Sequence, residues 1–266
     1  MSNSKGLLVD LTKCIGCEAC VYACKEANNL PDKEEHELSS TAYTVVKEKD
    51  DVYYRQMCMH CDEPTCASVC PVNAFEKTEE GAVVYHGKKC IGCRYCMQAC
   101  PFGVPSYEWN KTLPLVRKCT MCIDRQRDGK VPACAEACPT GATIFGDKAE
   151  LIQEARRRIE ADPDLYVNHI YGEKEAGGTS VLFLSSVPFE TLGFPTNVST
   201  KPLPSLTWKI MSKIPNYVAV SSFLLYGIYW IIDRRMELAE EDMSPNTDRK
   251  VKSETYNTGS MKVRSK

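Results

Sequence analysis

Short apolar runs recur along the N-terminal two thirds of the chain and predict a series of small β-strands. They occupy residues 7–10, 73–75, 82–85, 104–107, 142–145 and 181–184. The run at 82–85 follows the turn residues Glu-Glu-Gly and predicts a hairpin at this place. Three of the runs follow cysteine-rich segments, so the pattern also indicates an internal repeat.

The C-terminal half has a different character. Residues 147–150 resemble a capping box, and the apolar positions that follow fall on one helical face: Leu151, Ile152, Ala155 and Ile159. An amphipathic helix is therefore predicted over Lys148–Ala161. Residues 186–204 are rich in proline and turn residues and predict an extended surface strap. This strap is either an ordinary loop or a segment that contacts a partner.

Residues 214–232 form the one long uncharged segment, bounded by Lys213 and Asp233. As a helix this segment spans about 28 Å, the thickness of a bilayer core, with Tyr217 near one end and Trp230 near the other. We predict a single transmembrane anchor. The alternative, a buried helix of a soluble protein, lacks another long apolar helix in the chain to pack against. Residues 233–266 are polar and mixed in charge, and disorder is expected there.

Charge and composition exclude two classes of protein. The 35 acidic and 33 basic side chains nearly balance, whereas a dedicated nucleic-acid binder needs a clustered excess of lysine and arginine. The apolar fraction of 43% is too low for a polytopic membrane protein. The informative number is the 16 cysteines, all of which lie between Cys14 and Cys138.

These cysteines form four groups of four. The first and third groups share the spacing C-x2-C-x2-C-x3-C, the second widens the middle gap to four residues, and the fourth widens it to eleven. In order, the groups are Cys14, Cys17, Cys20 and Cys24; Cys58, Cys61, Cys66 and Cys70; Cys90, Cys93, Cys96 and Cys100; and Cys119, Cys122, Cys134 and Cys138. All groups except the first run directly into proline.

This spacing is the ligand pattern of bacterial ferredoxins. A tight loop brings three thiolates to three irons of a cubane, and a cysteine of a partner motif reaches the fourth. Sixteen cysteines at four per cluster predict four [4Fe-4S] clusters. Disulfides are disfavoured because they need a secreted and normally short scaffold, and zinc is disfavoured because the three-plus-one pattern ending in proline is repeated.

The spacing also predicts how the motifs pair. The second and third motifs are only nineteen residues apart and form one two-cluster unit, so the first and fourth form the other. The predicted fold class is α+β, with two pseudo-symmetric ferredoxin-like modules, one inserted in the other, and a C-terminal transmembrane helix. Within residues 1–147, an inner module at 58–101 interrupts an outer module at 1–30 and 119–147. An extension at 148–213, the anchor at 214–232 and the tail at 233–266 follow.

No catalytic motif accompanies the cysteines. The sequence lacks a Walker loop, a G-x-S-x-G elbow and a G-x-G-x-x-G fingerprint, and no histidine lies in the apolar span to bind a haem. Four clusters without a catalytic site predict an electron relay. His60, between Cys58 and Cys61, is either a residue that tunes a cluster or a solvated loop side chain.

The motifs CPVNA, CPFGVP and CPTGATIFG, followed by HIYGEKEAGGTSVLFLSSVPFETLGFP, resemble the ferredoxin-type subunits of membrane-bound respiratory oxidoreductases. The resemblance is to the iron–sulfur subunits of hydrogenase-2-type nickel–iron hydrogenases and formate dehydrogenase N, and it covers about residues 7–232. It implies a relay between a catalytic subunit and a quinone-reactive membrane subunit. The four ligand sets that it implies are Cys14, Cys17, Cys20 and Cys138; Cys24, Cys119, Cys122 and Cys134; Cys58, Cys61, Cys66 and Cys100; and Cys70, Cys90, Cys93 and Cys96.

Two departures from the family pattern bear on the partner and the membrane side. Lys25 in place of proline lets the helix continue past Cys24, and the N-terminus has neither an apolar signal region nor twin arginines, so export is expected to depend on a partner. The catalytic partner is expected to be a hydrogenase or a molybdopterin enzyme such as a formate dehydrogenase. The resemblance implies the cytoplasmic membrane, with the clusters on the periplasmic side. A freely diffusing polyferredoxin is the alternative from another class.

Overall fold

The computed structural model of the chain describes residues 4–243. It divides into two compact units, Met1–Trp208 and Lys209–Lys266, each of which is described by itself. The strands are β1 Lys5–Asp10, β2 Thr44–Lys49, β3 Val52–Met57, β4 Phe75–Lys77, β5 Val83–Tyr85, β6 Ser106–Tyr107, β7 Val116–Arg117, β8 Thr143–Asp147 and β9 Val181–Leu184. The helices are α1 Ala19–Ala27, α2 Thr65–Ser68, α3 Tyr95–Ala99, α4 Ile123–Arg127, α5 Ala133–Glu136, α6 Lys148–Ala161, α7 Leu203–Met211 and α8 Ile214–Met243.

The central sheet has the order β8-β1-β9, with β1 antiparallel to β8 and parallel to β9. Both faces of β1 are covered, because successive side chains of a strand point to opposite sides. Leu7 and Val9 pack into the cysteine-rich core, whereas Leu8 packs against α6 through Leu151 and Ala155. The first strand thus anchors the cysteine motifs to the C-terminal extension.

Helix α6 has the predicted bounds and buries the predicted face. The predicted capping box at its start does not form, because Asp147 makes no capping hydrogen bond. Its carboxylate instead accepts a hydrogen bond from Lys5 Nζ at 3.0 Å. This ion pair, at one end of the β1–β8 ladder, takes the place of the predicted capping hydrogen bond.

A fully buried carboxylate links β1 to α6 and to the extension. Asp10 is 0% exposed and accepts hydrogen bonds from Arg158 Nη1 and Tyr166 Oη, both at 2.9 Å, and from Thr12 Oγ1 at 2.6 Å. A buried charge is tolerated only when it is paired and hydrogen-bonded in this way. This network fixes the end of β1 four residues before Cys14.

The longest hairpin lies between the first and second cysteine motifs, where no strand is predicted. Strands β2 and β3 are joined by Asp50 and Asp51, whose φ values of 50° and 61° match the two left-handed positions of a type I′ turn. Neither residue is the glycine that normally marks this turn, so the sequence gives a weak signal. The strand predicted at 104–107 is shorter than expected, and its partner β7 was not predicted.

The predicted surface strap at 186–204 is partly wrong. Phe189 is 2% and Leu192 is 1% exposed, and both belong to the cysteine-rich core. Phe194 packs edge-to-face against the ring of Tyr171, with a centroid separation of 5.0 Å. The aromatic side chains of this segment therefore close one side of the core.

The C-terminal helices carry the apolar span. The helical stretch Leu203–Glu240 is long and apolar enough to cross a membrane, and no residue in its most apolar window is buried. Helix α8 extends beyond the predicted span to Met243, so disorder directly after residue 232 is wrong. Residues 244–266 of the predicted tail lie outside the described residues.

Candidate metal centres

The first and third cysteine motifs share one local geometry. Each begins after a single 3-10 turn, and the backbone N–H groups of Cys14 and Cys90 donate back into that turn. Gly16 and Gly92 follow with φ values of 69° and 72°, and a helix begins five residues after the first cysteine. A left-handed glycine at this place lets the loop fold back tightly, so three thiols face one space.

A second geometry is common to the second and fourth motifs. Proline precedes a four-residue helix in both, and the third cysteine occupies the second helical position. The fourth cysteine lies just beyond the end of the helix and is followed by Pro71 in the second motif and by Pro139 in the fourth. The two long-gap motifs are thus as alike as the two short-gap motifs, although their middle gaps differ by seven residues.

Helix contacts follow the pairing of the motifs. Helix α1 of the first motif packs against α5 of the fourth, and α2 of the second motif packs against α3 of the third. The first motif therefore lies beside the fourth, and the second beside the third.

In the outer pair of motifs, which are the first and the fourth, the thiols lie close enough to change one another's pKa. Burial, and then the charges of Cys138 and Cys17, raise the pKa of Cys14. Burial, and then Cys134 and Cys122, raise the pKa of Cys24 to about 12. Burial and the neighbouring Cys24 and Cys134 thiols likewise raise the pKa of Cys119. A cavity is lined by Cys14, Cys17, Cys20 and Cys138 together.

The inner pair shows the same arrangement. Burial is the largest cause of the raised pKa of Cys61, and the charges of Cys58, Cys100 and Cys66 raise it further. The pKa of Cys96 is raised to about 11 by burial first, and then by the charges of the neighbouring Cys90, Cys93 and Cys70. Every one of the sixteen cysteines therefore has neighbours from its expected set.

Thiols of different sets also lie near one another. Cys20 lies near Cys134, and Cys66 lies near Cys96. Cys119 lies near Cys58, so the outer and inner pairs meet at two buried cysteines. Cys17 and Cys93, in contrast, are exposed.

The thiols are supplied with hydrogen-bond donors that favour a charged sulfur. The backbone N–H groups of Ala74, Gly92 and Met121 donate to Cys70, Cys90 and Cys119 Sγ at 3.2, 3.4 and 3.3 Å. Burial alone raises the pKa of Cys138, but hydrogen bonds from the backbone N–H groups of Thr143, Thr140 and Ala142 and from the Thr140 hydroxyl outweigh it, and the pKa falls below its ordinary value. A thiolate donor set with N–H···S bonds is what a [4Fe-4S] cluster requires.

A zinc ion is a poorer fit to the same residues. Across residues 4–243, no group of three or more His, Cys, Asp or Glu side chains converges closely enough to hold a single ion. Structural zinc needs four ligands about 2.3 Å from one point. One expected set, Cys14, Cys17, Cys20 and Cys138, instead lines a common cavity.

Comparison with known proteins gives the same chemistry. Two models, each described as a 4Fe-4S dicluster domain, match residues 13–74 and 49–148. Hydrogenase-2 operon protein HybA of Escherichia coli O157:H7 is 36% identical over 241 residues, covering 73% of this chain and 73% of HybA. The chain belongs to the ferredoxin-type iron–sulfur subunits of respiratory oxidoreductases. It is an electron-transfer subunit that carries [4Fe-4S] clusters.

Other relatives of this iron–sulfur subunit span several oxidoreductases. A protein of Nitratidesulfovibrio vulgaris is 40% identical over 260 residues, covering 91% of this chain and 70% of the relative. The nitrate-inducible formate dehydrogenase iron–sulfur subunit of Escherichia coli K12 is 35% identical over 197 residues, covering 66% of each chain. The predicted family and electron-transfer role are confirmed.

Buried cations accompany the cysteines of the iron–sulfur subunit, and the sequence analysis missed them. Arg55 is 2% exposed and lies among the outer cysteines. Lys118, 5% exposed, donates to the carbonyl of Cys119 at 2.9 Å, and its charge acts on Cys66. Burial lowers the pKa of Lys77 to about 8, although the Asp62 carboxylate partly opposes this. Lys118 directly precedes Cys119 in the sequence, whereas tertiary packing brings Arg55 and Lys77 to the cysteines.

The solvated-loop interpretation of His60 is wrong, because its side chain is 0% exposed. The Nδ1 atom accepts a hydrogen bond from the backbone N–H of Val83 at 2.8 Å. Burial, followed by the charges of Lys118 and Lys77, lowers the pKa of His60 well below its ordinary value, so the ring is neutral. Within residues 4–243, its Nε2 atom is buried and has no hydrogen-bond partner, and the same holds for Oγ1 of Thr65 in the same cysteine motif.

Proposed function

We propose that this subunit holds four [4Fe-4S] clusters in two nested ferredoxin-like modules. The inner module is assigned to residues 58–101, and the outer module to residues 1–30 and 119–147. The proposed ligand sets are Cys14, Cys17, Cys20 and Cys138; Cys24, Cys119, Cys122 and Cys134; Cys58, Cys61, Cys66 and Cys100; and Cys70, Cys90, Cys93 and Cys96. The mutual pKa effects within each set, and the packing of α1 on α5 and α2 on α3, support this assignment.

The series of thiol neighbours supports a linear relay, and it is the observation that carries the proposal. The proximity of Cys20 to Cys134 joins the two outer clusters, and that of Cys66 to Cys96 joins the two inner clusters. The buried pair Cys119 and Cys58 joins the modules. Each cluster passes one electron.

The two ends of this series have exposed apolar side chains. Ile15 is 60% and Ile91 is 64% exposed, each beside the exposed cysteine of its motif. An electron must enter and leave where a cluster comes near the surface. These two faces are the proposed contacts with the catalytic subunit and with a quinone-reactive membrane subunit.

The proposed catalytic partner is of the nickel–iron hydrogenase type, because the relative HybA, named for hydrogenase-2, matches over more of its length than the formate dehydrogenase subunits. A molybdopterin enzyme such as a formate dehydrogenase is the second candidate, supported by the relatives with that name. The exposed apolar surface of α8 supports a single-pass anchor at residues 214–232 in the cytoplasmic membrane. The clusters are proposed to lie on the periplasmic side.

Metal analysis of the intact complex tests the partner. An affinity tag on this chain is used to isolate the complex from detergent-solubilised membranes that have been washed with carbonate. Nickel at about one atom per chain supports the hydrogenase assignment, and molybdenum or tungsten transfers the same relay to a molybdopterin enzyme. Release of the chain by carbonate, without any copurified partner, contradicts the membrane complex and favours a soluble polyferredoxin.

A further inference from the structure

Arg55 is a buried cation whose protein hydrogen-bond partners are neutral. It lies on β3 of the hairpin inserted after the first motif. Nε donates to the Thr44 hydroxyl at 2.7 Å, and Nη1 donates to the Thr143 hydroxyl at 3.2 Å. These two bonds orient the guanidinium plane but supply no negative charge.

Cysteine thiols surround this guanidinium. Its charge acts on Cys134, Cys20 and Cys119. It also counters the burial that raises the pKa of Cys14, Cys24 and Cys122, so six of the eight outer cysteines sense its charge. Arg55 further lines the cavity formed by Cys14, Cys17, Cys20 and Cys138.

In the described part of the chain no carboxylate forms an ion pair with Arg55, whereas the part-buried Arg158 has both Asp10 and Glu154. Burying an unpaired guanidinium is strongly unfavourable. Burial also opposes the positive charge of Arg55, yet the thiol neighbours more than compensate and its pKa lies above the ordinary value.

We propose that Arg55 is the shared counter-cation of the two outer clusters and raises the reduction potentials of both. The inference rests on the proposed cluster assignment. An oxidised [4Fe-4S] cluster with four thiolates is already an anion, and reduction adds one further negative charge without breaking or forming a bond. A fixed neighbouring cation therefore stabilises the reduced form more than the oxidised form.

The position of Arg55 limits its expected effect to the two outer clusters. The inner cluster expected at Cys58, Cys61, Cys66 and Cys100 has Lys77 and Lys118 beside it instead. Arg55 lines one cavity with Cys14 and Cys20 of one outer set, and its charge acts on Cys134 of the other. Its loss is thus expected to shift two of the four reduction steps together and leave the other two in place.

Redox titration of the intact complex, followed by electron paramagnetic resonance, tests this role. Arg55→Gln removes the charge and keeps a hydrogen-bond donor, whereas Arg55→Lys keeps the charge. Arg127→Gln is the matched control, because it removes an arginine from α4 whose side chain is 58% exposed and paired with Glu80. We expect Arg55→Gln to shift two midpoint potentials to more negative values and Arg127→Gln to shift none. Arg55→Lys is expected to stay near the wild type.

Iron content separates the possible failures. Full iron in Arg55→Gln with four unchanged potentials overturns the role of Arg55 but leaves the four-cluster assignment intact. A wild-type complex with far less than about sixteen irons per chain overturns the assignment itself. Should Arg55→Gln lose iron, Arg55→Lys decides: full iron and near-native potentials support a requirement for charge, and loss of iron in the lysine variant as well overturns it.

Discussion

Replacing His60 by asparagine removes the ring nitrogen that has no protein partner while keeping an acceptor at the δ position. Because Nδ1 accepts from the Val83 N–H, the hydrogen of the neutral ring is on Nε2. That N–H is buried, has no acceptor among the residues that the structure describes, and belongs to a residue between Cys58 and Cys61 in sequence. We expect its acceptor to be a sulfur of the cluster that these two cysteines bind. Asparagine also tolerates the left-handed backbone at this position, where φ is 49°.

The size of the effect follows from the strength of such a bond. A hydrogen bond to a charged group contributes about 1.5–3 kcal/mol. If about 1 kcal/mol of this is gained only when the cluster takes up its extra negative charge, the reduction potential rises by about 40 mV, since about 1.4 kcal/mol equals about 59 mV for one electron. His60→Asn is therefore expected to lower one of the four potentials by about 40 mV.

His60→Gln supplies the matched comparison. Glutamine places an amide N–H near the ε position but has no acceptor for the Val83 N–H. We expect it to preserve the potential better than asparagine and to cost more stability, about 1–3 kcal/mol for the unpaired buried N–H. The assay is redox titration with iron content measured in parallel. Four unchanged potentials in a fully loaded His60→Asn complex would refute the hydrogen bond to the cluster.

Three further predictions concern stability, cluster assembly and membrane attachment. Asp10→Ala is expected to lower the free energy of unfolding of the cluster-loaded chain by about 1.5–3 kcal/mol, because it removes the buried charged acceptor shared by Arg158, Tyr166 and Thr12. Asp147→Ala, which removes a partly exposed ion pair, is expected to cost about 1 kcal/mol or less. Equal costs in denaturant titrations would contradict the network. Gly16→Ala places a Cβ 2.5 Å from a tyrosine ring, whereas Gly103→Ala has the same backbone strain but open space around the Cβ. Metal analysis is therefore expected to show a larger loss of iron in Gly16→Ala than in Gly103→Ala. Leu225→Arg in the apolar span costs about 2.5–3.5 kcal/mol of insertion free energy and should increase release by carbonate, and unchanged retention would argue against a spanning helix.

Much of the local chemistry was accessible from the sequence because cysteine spacing is a local constraint. The repeated C-x2-C-x2-C pattern predicted the family, the clusters and the relay, and the apolar periodicity predicted α6 with its correct bounds. Mixed helix and strand content is confirmed. The nesting of the two modules stays a prediction, although the packing of the motif helices agrees with it.

The electrostatic environment of the cysteines was not accessible in the same way. Arg55 lies thirty-one residues beyond Cys24 and seventy-nine before Cys134, and only the β2–β3 hairpin brings it between them. The hairpin itself has an Asp-Asp turn without glycine, so its sequence signal is weak. His60 was noticed because it lies between two cysteines, but its burial depends on Val83, a contact across twenty-three residues.

The most direct test of the central claim is a count of iron and acid-labile sulfide per chain in the anaerobically purified complex, after the metal of the catalytic partner is subtracted. Four clusters predict about sixteen irons and about sixteen sulfides for this subunit. Cys58→Ser, in the set nearest the junction of the modules, should retain the three other clusters and interrupt electron transfer. About eight irons in the wild-type chain, or zinc in place of iron, would contradict the four-cluster relay.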